Sequence, residues 1–182
     1  SSAGNVSGNR GIITNNQGTG ALSLTTKDVT GARFNGIYAV NSSNSADLMI
    51  DSSAGTVSGG AGIAVSSRSI YSGIFADQQS AGTLNITVDQ VSGGIGIDAD
   101  ATTGATTITL ASTAVVTGLT GVGIDAQSTG GAITVQGSSS DVVGATDGMY
   151  VRSAGGEITV DTLDSVTGNA GDGLDLASAG GA

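Results

Sequence analysis

A short segment of the form Gly-apolar-x-apolar recurs along the chain, and this recurrence restricts the possible folds more than any other feature. Six clear copies begin at Gly36, Gly73, Gly96, Gly123, Gly148 and Gly173, and a weaker copy begins at Gly11. The intervals between successive glycines are 25, 37, 23, 27, 25 and 25 residues. A fixed period of this length is typical of stacked structural repeats.

Two further segments lie between successive copies. The first has the pattern apolar-polar-apolar and occurs at 22–24, 48–50, 86–88, 108–110, 133–135 and 158–160. The second has the pattern Val-Thr/Ser-Gly and begins at Val6, Val29, Val57, Val91, Val116 and Val166, with a degenerate copy at Val143-Gly144. Alternation with period two predicts short strands with one apolar face, and the intervening glycines and small polar residues predict corners.

Three short strands per repeat, always in the same order, predict an all-β chain folded as a parallel β-helix, or β-solenoid. We expect about seven coils of about 25 residues, with equivalent strands stacked about 4.8 Å apart. Crossovers between parallel strands are overwhelmingly right-handed, which predicts a right-handed helix. Residues 1–182 are expected to form one domain, and the lack of a capping element predicts a segment of a longer solenoid.

The composition restricts the partners. The formal net charge is −10, from 15 acidic and 5 basic residues, so nucleic acid is not expected as a partner. There is no His and no Cys, which excludes nucleophilic triads and disulfides. No apolar run reaches 18 residues, so this segment is not expected to insert into a membrane.

Repeats of the form Val-Thr-Gly, Gly-Ile-Asp-Ala and Gly-Gly-x-Ile-Thr-Val resemble the passenger domains of bacterial autotransporters and related large exoprotein adhesins. The stretches that carry the resemblance best are 116–135 and 143–160. The resemblance implies a right-handed β-helix displayed outside the cell, in adhesion or biofilm formation. The family has no shared catalytic motif to transfer.

Four aspartates form the first candidate site. The repeat places Asp98 and Asp125 at the same outward position of adjacent coils, and Asp77 and Asp100 one outward step further along their strands. Stacked like charges repel each other, and Ca²⁺ would relieve the repulsion. A solvated acidic face without any cofactor is the alternative. Paired carboxylates also suit glycoside hydrolysis, although nothing distinguishes an acid from a base.

The long interval holds the second candidate site. Residues 63–72 form an inserted loop or a half-coil, and this insert contains Arg68 and Tyr71. Tyr38 and Phe75 are expected to point outward on the neighbouring sheet, so these four residues predict a surface that binds a sugar or a protein. In the alternative interpretation, the insert is an extra half-coil whose Ile70 joins the core.

A third feature is a predicted column of Thr87, Thr109, Thr134 and Thr159. Flat arrays of threonine order water in ice-binding solenoids. The alternative is that threonine only fills strand positions, because its β-branched side chain suits them.

These observations favour a non-enzymatic adhesin or scaffold segment at a bacterial cell surface, presenting loops and an acidic face from a rigid rod. The expected partners are glycans or proteins of a host or neighbouring cell, and no cofactor is required. The main alternative is a structural subunit that stacks end to end with other copies into an extracellular fibre. A polysaccharide-active enzyme and an ice-binding solenoid are further alternatives.

Overall fold

The structure, a computed structural model, describes residues 4–61, 71–161 and 163–180. Regular structure in these ranges consists of strands alone, and they contain no helix that could cross a membrane. The strands are β1 (Val6–Gly8), β2 (Ile12–Asn16), β3 (Leu22–Thr25), β4 (Val29–Gly31), β5 (Ile37–Asn41), β6 (Leu48–Ser58), β7 (Ser72–Gln78), β8 (Leu84–Gly93), β9 (Ile95–Ala101), β10 (Thr106–Gly118), β11 (Ile124–Ser128), β12 (Ile133–Gly137), β13 (Asp141–Gly144), β14 (Met149–Ser153), β15 (Ile158–Asp161), β16 (Ser165–Gly168) and β17 (Leu174–Ser178).

All strand pairs are parallel, and each joins equivalent segments of successive coils. The Gly-apolar-x-apolar segments form one seven-stranded sheet in the order β2-β5-β7-β9-β11-β14-β17. The other two kinds of segment form a ten-stranded sheet. The chain is therefore a β-solenoid of about seven turns, as the repeat predicts. Its right-handedness stays a prediction.

The ten-stranded sheet contains two of the three predicted strand types. In the middle coils the two types run together as the long strands β6, β8 and β10, whereas β12 and β13 remain separate. The register shifts inside these long strands, between Ser52 and Thr56 and between Leu110 and Val115. Each coil therefore has three strand segments, but hydrogen bonding joins them into two sheets.

Columns of apolar side chains fill the interior of the solenoid. In the seven-stranded sheet one inward column is fully buried at Ile37, Ile74, Ile97, Ile124 and Met149. The inward column two residues later is occupied mainly by alanine, at Ala39, Ala76, Ala99 and Ala126. Burial of each large side chain contributes about 1.5–3 kcal/mol, and stacking lets every coil share this core with its neighbours.

Close contact at one corner explains why glycine begins each repeat. A Cβ atom on Gly96 would lie 2.4 Å from the carbonyl oxygen of Gly123 and 2.7 Å from Cγ1 of Val116. The equivalent valine approaches the repeat glycine at Gly11, Gly36, Gly73, Gly123 and Gly148. The Val-Thr/Ser-Gly segment of each coil thus packs against the repeat glycine of the preceding coil.

Polar side chains line the opposite corner, a feature that the sequence analysis missed. Nδ2 of Asn41 donates to the carbonyl of Ala46 over 3.0 Å, and Nε2 of Gln78 donates to the same carbonyl over 2.6 Å. In later coils serine takes this position: Oγ of Ser153 donates to the carbonyl of Gly131 and accepts from the amide of Gly156. The repeat could have predicted this polar column, because Asn41, Gln78 and Ser153 each lie five residues after a repeat glycine.

The predicted column of four threonines is wrong. Thr87 pairs in register with Thr109, whereas Thr134 pairs with Thr107 on one side and Thr159 on the other. The apolar-polar-apolar pattern looks the same after a shift of two residues, so it does not determine the register. The threonines lie in two short columns, and neither extends along the whole sheet.

Two further assignments of the sequence analysis are refined. The degenerate third segment is Asp141–Gly144, in which Val142 faces the core opposite Val116 and Val143 takes the outward position. The long interval falls between β6 and β7, where 13 residues lie between Gly59 and Gly73. Residues 62–70, which include Arg68 and Ile70, lie outside the described residues, so both interpretations of the insert remain open.

Candidate functional site

The outer face of the seven-stranded sheet carries most of the residues that the sequence analysis selected. Its first outward column, in axial order, is Ile13, Tyr38, Phe75, Asp98, Asp125, Tyr150 and Asp175. Its second outward column is Asn15, Val40, Asp77, Asp100, Gln127, Arg152 and Ala177. The predicted neighbours Asp98 with Asp125 and Asp77 with Asp100 are confirmed, and the face changes from aromatic to acidic along the solenoid axis.

Four aromatic rings meet at the first coils, and we call them the aromatic cluster: Phe34, Tyr38, Tyr71 and Phe75. The rings of Tyr38 and Phe75 are stacked, with centroids 4.9 Å apart and planes inclined by 10°. The rings of Phe34 and Tyr71 meet edge to face, with centroids also 4.9 Å apart. Parallel in-register strands produce the stacked pair directly, because they place equivalent outward side chains one strand spacing apart.

A cavity of about 260 Å³ opens beside this cluster. Its lining residues are Arg10, Ile13, Phe34, Asn35, Tyr38 and Tyr71. Tyr38 and Tyr71 are among the predicted binding residues, whereas Arg10, Phe34 and Asn35 were not predicted. These three residues come just before the repeat glycines Gly11 and Gly36. Their equivalent positions in the repeat could have predicted that they lie at the same corner of the first two coils.

Arg10 is held over an aromatic ring at the edge of this cavity. Its guanidinium carbon lies 4.6 Å from the centroid of the Phe34 ring. Among the residues that the structure describes, the Arg10 side chain has no hydrogen bond and no ion pair. A cation over an aromatic face is attracted by the ring quadrupole, so Phe34 orients the guanidinium without neutralising it.

Charge is distributed unevenly along the chain. Arg10, Lys27 and Arg33 are three of the five basic residues, and they fall in residues 1–46 together with a single acidic residue, Asp28. The remaining fourteen acidic residues lie at Asp47 and beyond. The first coils therefore carry a local excess of positive charge in a protein whose formal net charge is −10.

The carboxylates in the middle of the face are partly buried, and this changes their protonation. Burial raises the pKa of Asp98 to about 7, with further increases from repulsion by Asp100 and Asp125. Burial likewise raises the pKa of Asp100 to about 6, with smaller increases from Asp125 and Asp77. The pKa of Asp125 is raised by burial against the opposing effects of a hydrogen bond from Gln127 and the charge of Arg152.

The geometry gives the predicted metal site no support. Across residues 4–61, 71–161 and 163–180 no group of three or more Asp, Glu, His or Cys side chains could hold a metal ion. Ca²⁺ takes six to eight oxygen ligands, more than a pair of stacked carboxylates supplies. Calcium binding by Asp77, Asp98, Asp100 and Asp125 therefore stays a prediction.

A second, shallower groove of about 590 Å³ follows the other edge of the same face. It is lined by Asp77, Asp100, Gln127 and Arg152 of the second outward column and by residues of the adjoining corner. Arg152 is already engaged here, because its Nη2 lies 2.5 Å from Oδ2 of Asp175 and its guanidinium carbon lies 3.9 Å from the Tyr150 ring centroid. The groove thus differs from the cavity at the aromatic cluster, whose arginine is unpaired among the described residues.

No protein-family model, no curated protein and no solved structure matches this chain. The β-solenoid is seen directly in the strand pairing. Membership of the autotransporter or exoprotein adhesins stays a prediction from the resemblance of the repeats.

Proposed function

We propose that this chain is a non-enzymatic binding segment of a bacterial cell-surface adhesin. It acts as a rigid rod that presents the aromatic cluster to a glycan or protein of a host or neighbouring cell. The observation that carries the proposal is the stacked pair of Tyr38 and Phe75 on the outer face, next to a cavity lined by aromatic rings. Aromatic side chains anchor many binding surfaces because they supply a large, stiff, partly apolar contact area.

The solenoid suits this use mechanically. Each coil is joined to the next by continuous parallel ladders in both sheets, so outward side chains keep a constant spacing along the axis. Tyr38 is 38% exposed although it belongs to an otherwise well-packed array. A side chain held in this way loses little conformational freedom on binding, which favours affinity.

A cell-binding assay with variants of the aromatic cluster tests the proposal. Purified chain is applied to bacterial and host cells and to an array of glycans, and bound protein is quantified. We expect Tyr38→Ala to weaken binding at least tenfold, as loss of a central aromatic anchor does. Tyr150→Ala is the matched control, because Tyr150 occupies the same outward column several coils away.

Retention of binding by Tyr38→Ala, or equal losses in the two variants, would contradict the proposal. The alternative of a self-stacking fibre subunit is tested by sedimentation of the purified chain. Large assemblies that form at low concentration and without added ligand would support the fibre, whereas a monomer that binds cells supports the adhesin.

A further inference from the structure

We infer that the cavity beside the aromatic cluster binds a sugar ring that bears a carboxylate, with Arg10 as the anion-binding group. Uronic and sialic acids share this chemistry. The inference rests on the proposed function and names the class of ligand that the cavity takes.

The walls of the cavity match the body of a single sugar ring. Ile13, Phe34, Tyr38 and Tyr71 present apolar surface, and the C–H groups on one face of a pyranose ring are equally apolar. The cavity holds about 260 Å³, slightly below the range of about 300–1,000 Å³ usual for drug-sized ligands, so it suits one ring. Asn35 adds an amide that can donate to and accept from sugar hydroxyls.

Arg10 determines the charge of the ligand. A guanidinium presents several N–H donors in a planar fork that matches the two oxygens of a carboxylate. Contact with Phe34 orients this group, while no carboxylate of the described residues pairs with it. Arg152 differs from Arg10 in this respect, because its guanidinium already forms an ion pair with Asp175.

The electrostatic surroundings permit an anion at this end of the face. Residues 1–46 hold three basic residues against Asp28 alone, and Oδ1 of Asp28 accepts a hydrogen bond from the amide of Thr56. Asp98 lies two strands beyond Tyr38, which is about 10 Å at the usual strand spacing. Burial also raises the pKa of Asp98 to about 7, so this carboxyl is only partly ionised at neutral pH and repels a bound anion less than a free carboxylate would.

Titration with four small sugars tests the inference. Glucuronic acid and N-acetylneuraminic acid are the charged probes, and glucose and the methyl ester of glucuronic acid are the neutral ones. We expect saturable binding of at least one acid, at least tenfold tighter than binding of either neutral sugar. Preference for one acid identifies a uronic or a sialic acid as the source.

Variants of the two arginines complete the test. Arg10→Gln should weaken binding of the acid at least tenfold. Its melting temperature should stay within about 1–2 °C of the parent, because an exposed surface substitution usually changes the free energy of unfolding by about 0.5 kcal/mol or less. Arg10→Lys should retain part of the affinity, because it keeps the charge but loses the fork. Arg152→Gln is the matched control and should leave acid binding unchanged.

Equal affinity for acidic and neutral sugars, no sugar binding at all, or unchanged acid binding by Arg10→Gln would overturn the inference. These outcomes are distinguishable from failure of the proposed function. If cell binding depends on Tyr38 but the chain does not prefer acidic sugars, the proposed adhesin function is supported and only the proposed ligand class is wrong. If the chain shows neither Tyr38-dependent cell binding nor a preference for acidic sugars, both the proposed function and the proposed ligand class are wrong.

Discussion

Phe75 and Asp98 are register partners on the adjacent strands β7 and β9, so the outward column changes from an aromatic ring to a carboxylate within one strand spacing. On its other side Asp98 faces Asp125 of β11. The carboxylate is therefore partly buried and close to another acid, and its protonated form is favoured over the charged one. Asp98 thus lies at the border between the aromatic cluster and the acidic part of the face.

The raised pKa of Asp98 predicts a protein that loses stability as the pH rises. The folded state holds the proton up to a pKa of about 7, whereas the unfolded chain releases it near the ordinary aspartate pKa of 3.8. Because the folded state binds more protons in this window, the free energy of unfolding should fall as the pH rises from about 4 to about 7. Asp98→Asn should reduce this slope and raise the free energy of unfolding at pH 8 by about 2 kcal/mol.

Urea denaturation at several pH values measures this effect. Asp161→Asn, which removes an exposed carboxylate from β15, is the control for the change in net charge alone. If both variants show the same pH dependence as the parent, burial of Asp98 does not influence its protonation.

Glycine at the start of each repeat should be indispensable in the middle coils. Gly96→Ala would place a methyl group 2.4 Å from the carbonyl oxygen of Gly123 and 2.7 Å from Val116 Cγ1, so backbone has to move in a packed corner. We expect a loss of about 1–3 kcal/mol in the free energy of unfolding. Gly20→Ala is the matched control, because no atom lies within 4 Å of its added Cβ, and its stability should change little. Similar melting temperatures for the two variants would contradict the packing argument.

Thr113 should be a point of local strain. It lies within the register shift of β10, between Leu110 and Val115, and adopts a φ of 66°, in the left-handed region that β-branched residues avoid. Thr113→Gly should raise the free energy of unfolding by about 0.5–1 kcal/mol. The strain relieved in the folded state should exceed the stability lost because glycine makes the unfolded chain more flexible. Ser112→Gly, at the exposed neighbouring position, should lower it by about 0.5 kcal/mol. Differential scanning calorimetry would measure both changes, and a shift of the same sign in both would argue against strain at Thr113.

The serine corner should contribute to stability through hydrogen bonds. Ser153 is 3% exposed, donates to the carbonyl of Gly131 over 3.0 Å and accepts from the amide of Gly156 over 2.8 Å. Ser153→Ala should therefore lower the free energy of unfolding by about 2 kcal/mol, because the amide and the carbonyl both lose a partner. Ser43→Ala, at an exposed turn, is the control and should change stability by less than about 0.5 kcal/mol. Equal thermal stability of the two variants would contradict this role.

Much of the architecture could be predicted because it depends on patterns along the chain. The Gly-apolar-x-apolar period predicts the coils, and the alternation within each segment assigns inward and outward positions correctly at Ile97, Asp98 and Ala99. The stacking of Asp98 on Asp125 follows from the same period. The register of the apolar-polar-apolar segments did not follow, because alternation is unchanged by a shift of two residues, and Thr87 therefore does not lie in a column with Thr134.

The candidate cavity could be predicted only in part. Tyr38 and Tyr71 were selected as aromatic residues near the long interval, but Arg10, Phe34 and Asn35 belong to corners without a repeated pattern. Their side chains meet because coil stacking brings residues about 25 positions apart to the same edge, and corner conformations decide where the side chains lie.

The repeat period and the alternation within each segment were enough to predict the parallel stacking of about seven coils and the apolar core, because both are local properties of the chain. The exact strand register, the arrangement of three strand types in two sheets and the contact of Arg10 with Phe34 became visible in the folded chain alone. These features depend on packing between residues that are distant in the chain, and several arrangements of the same pattern satisfy the local preferences equally well.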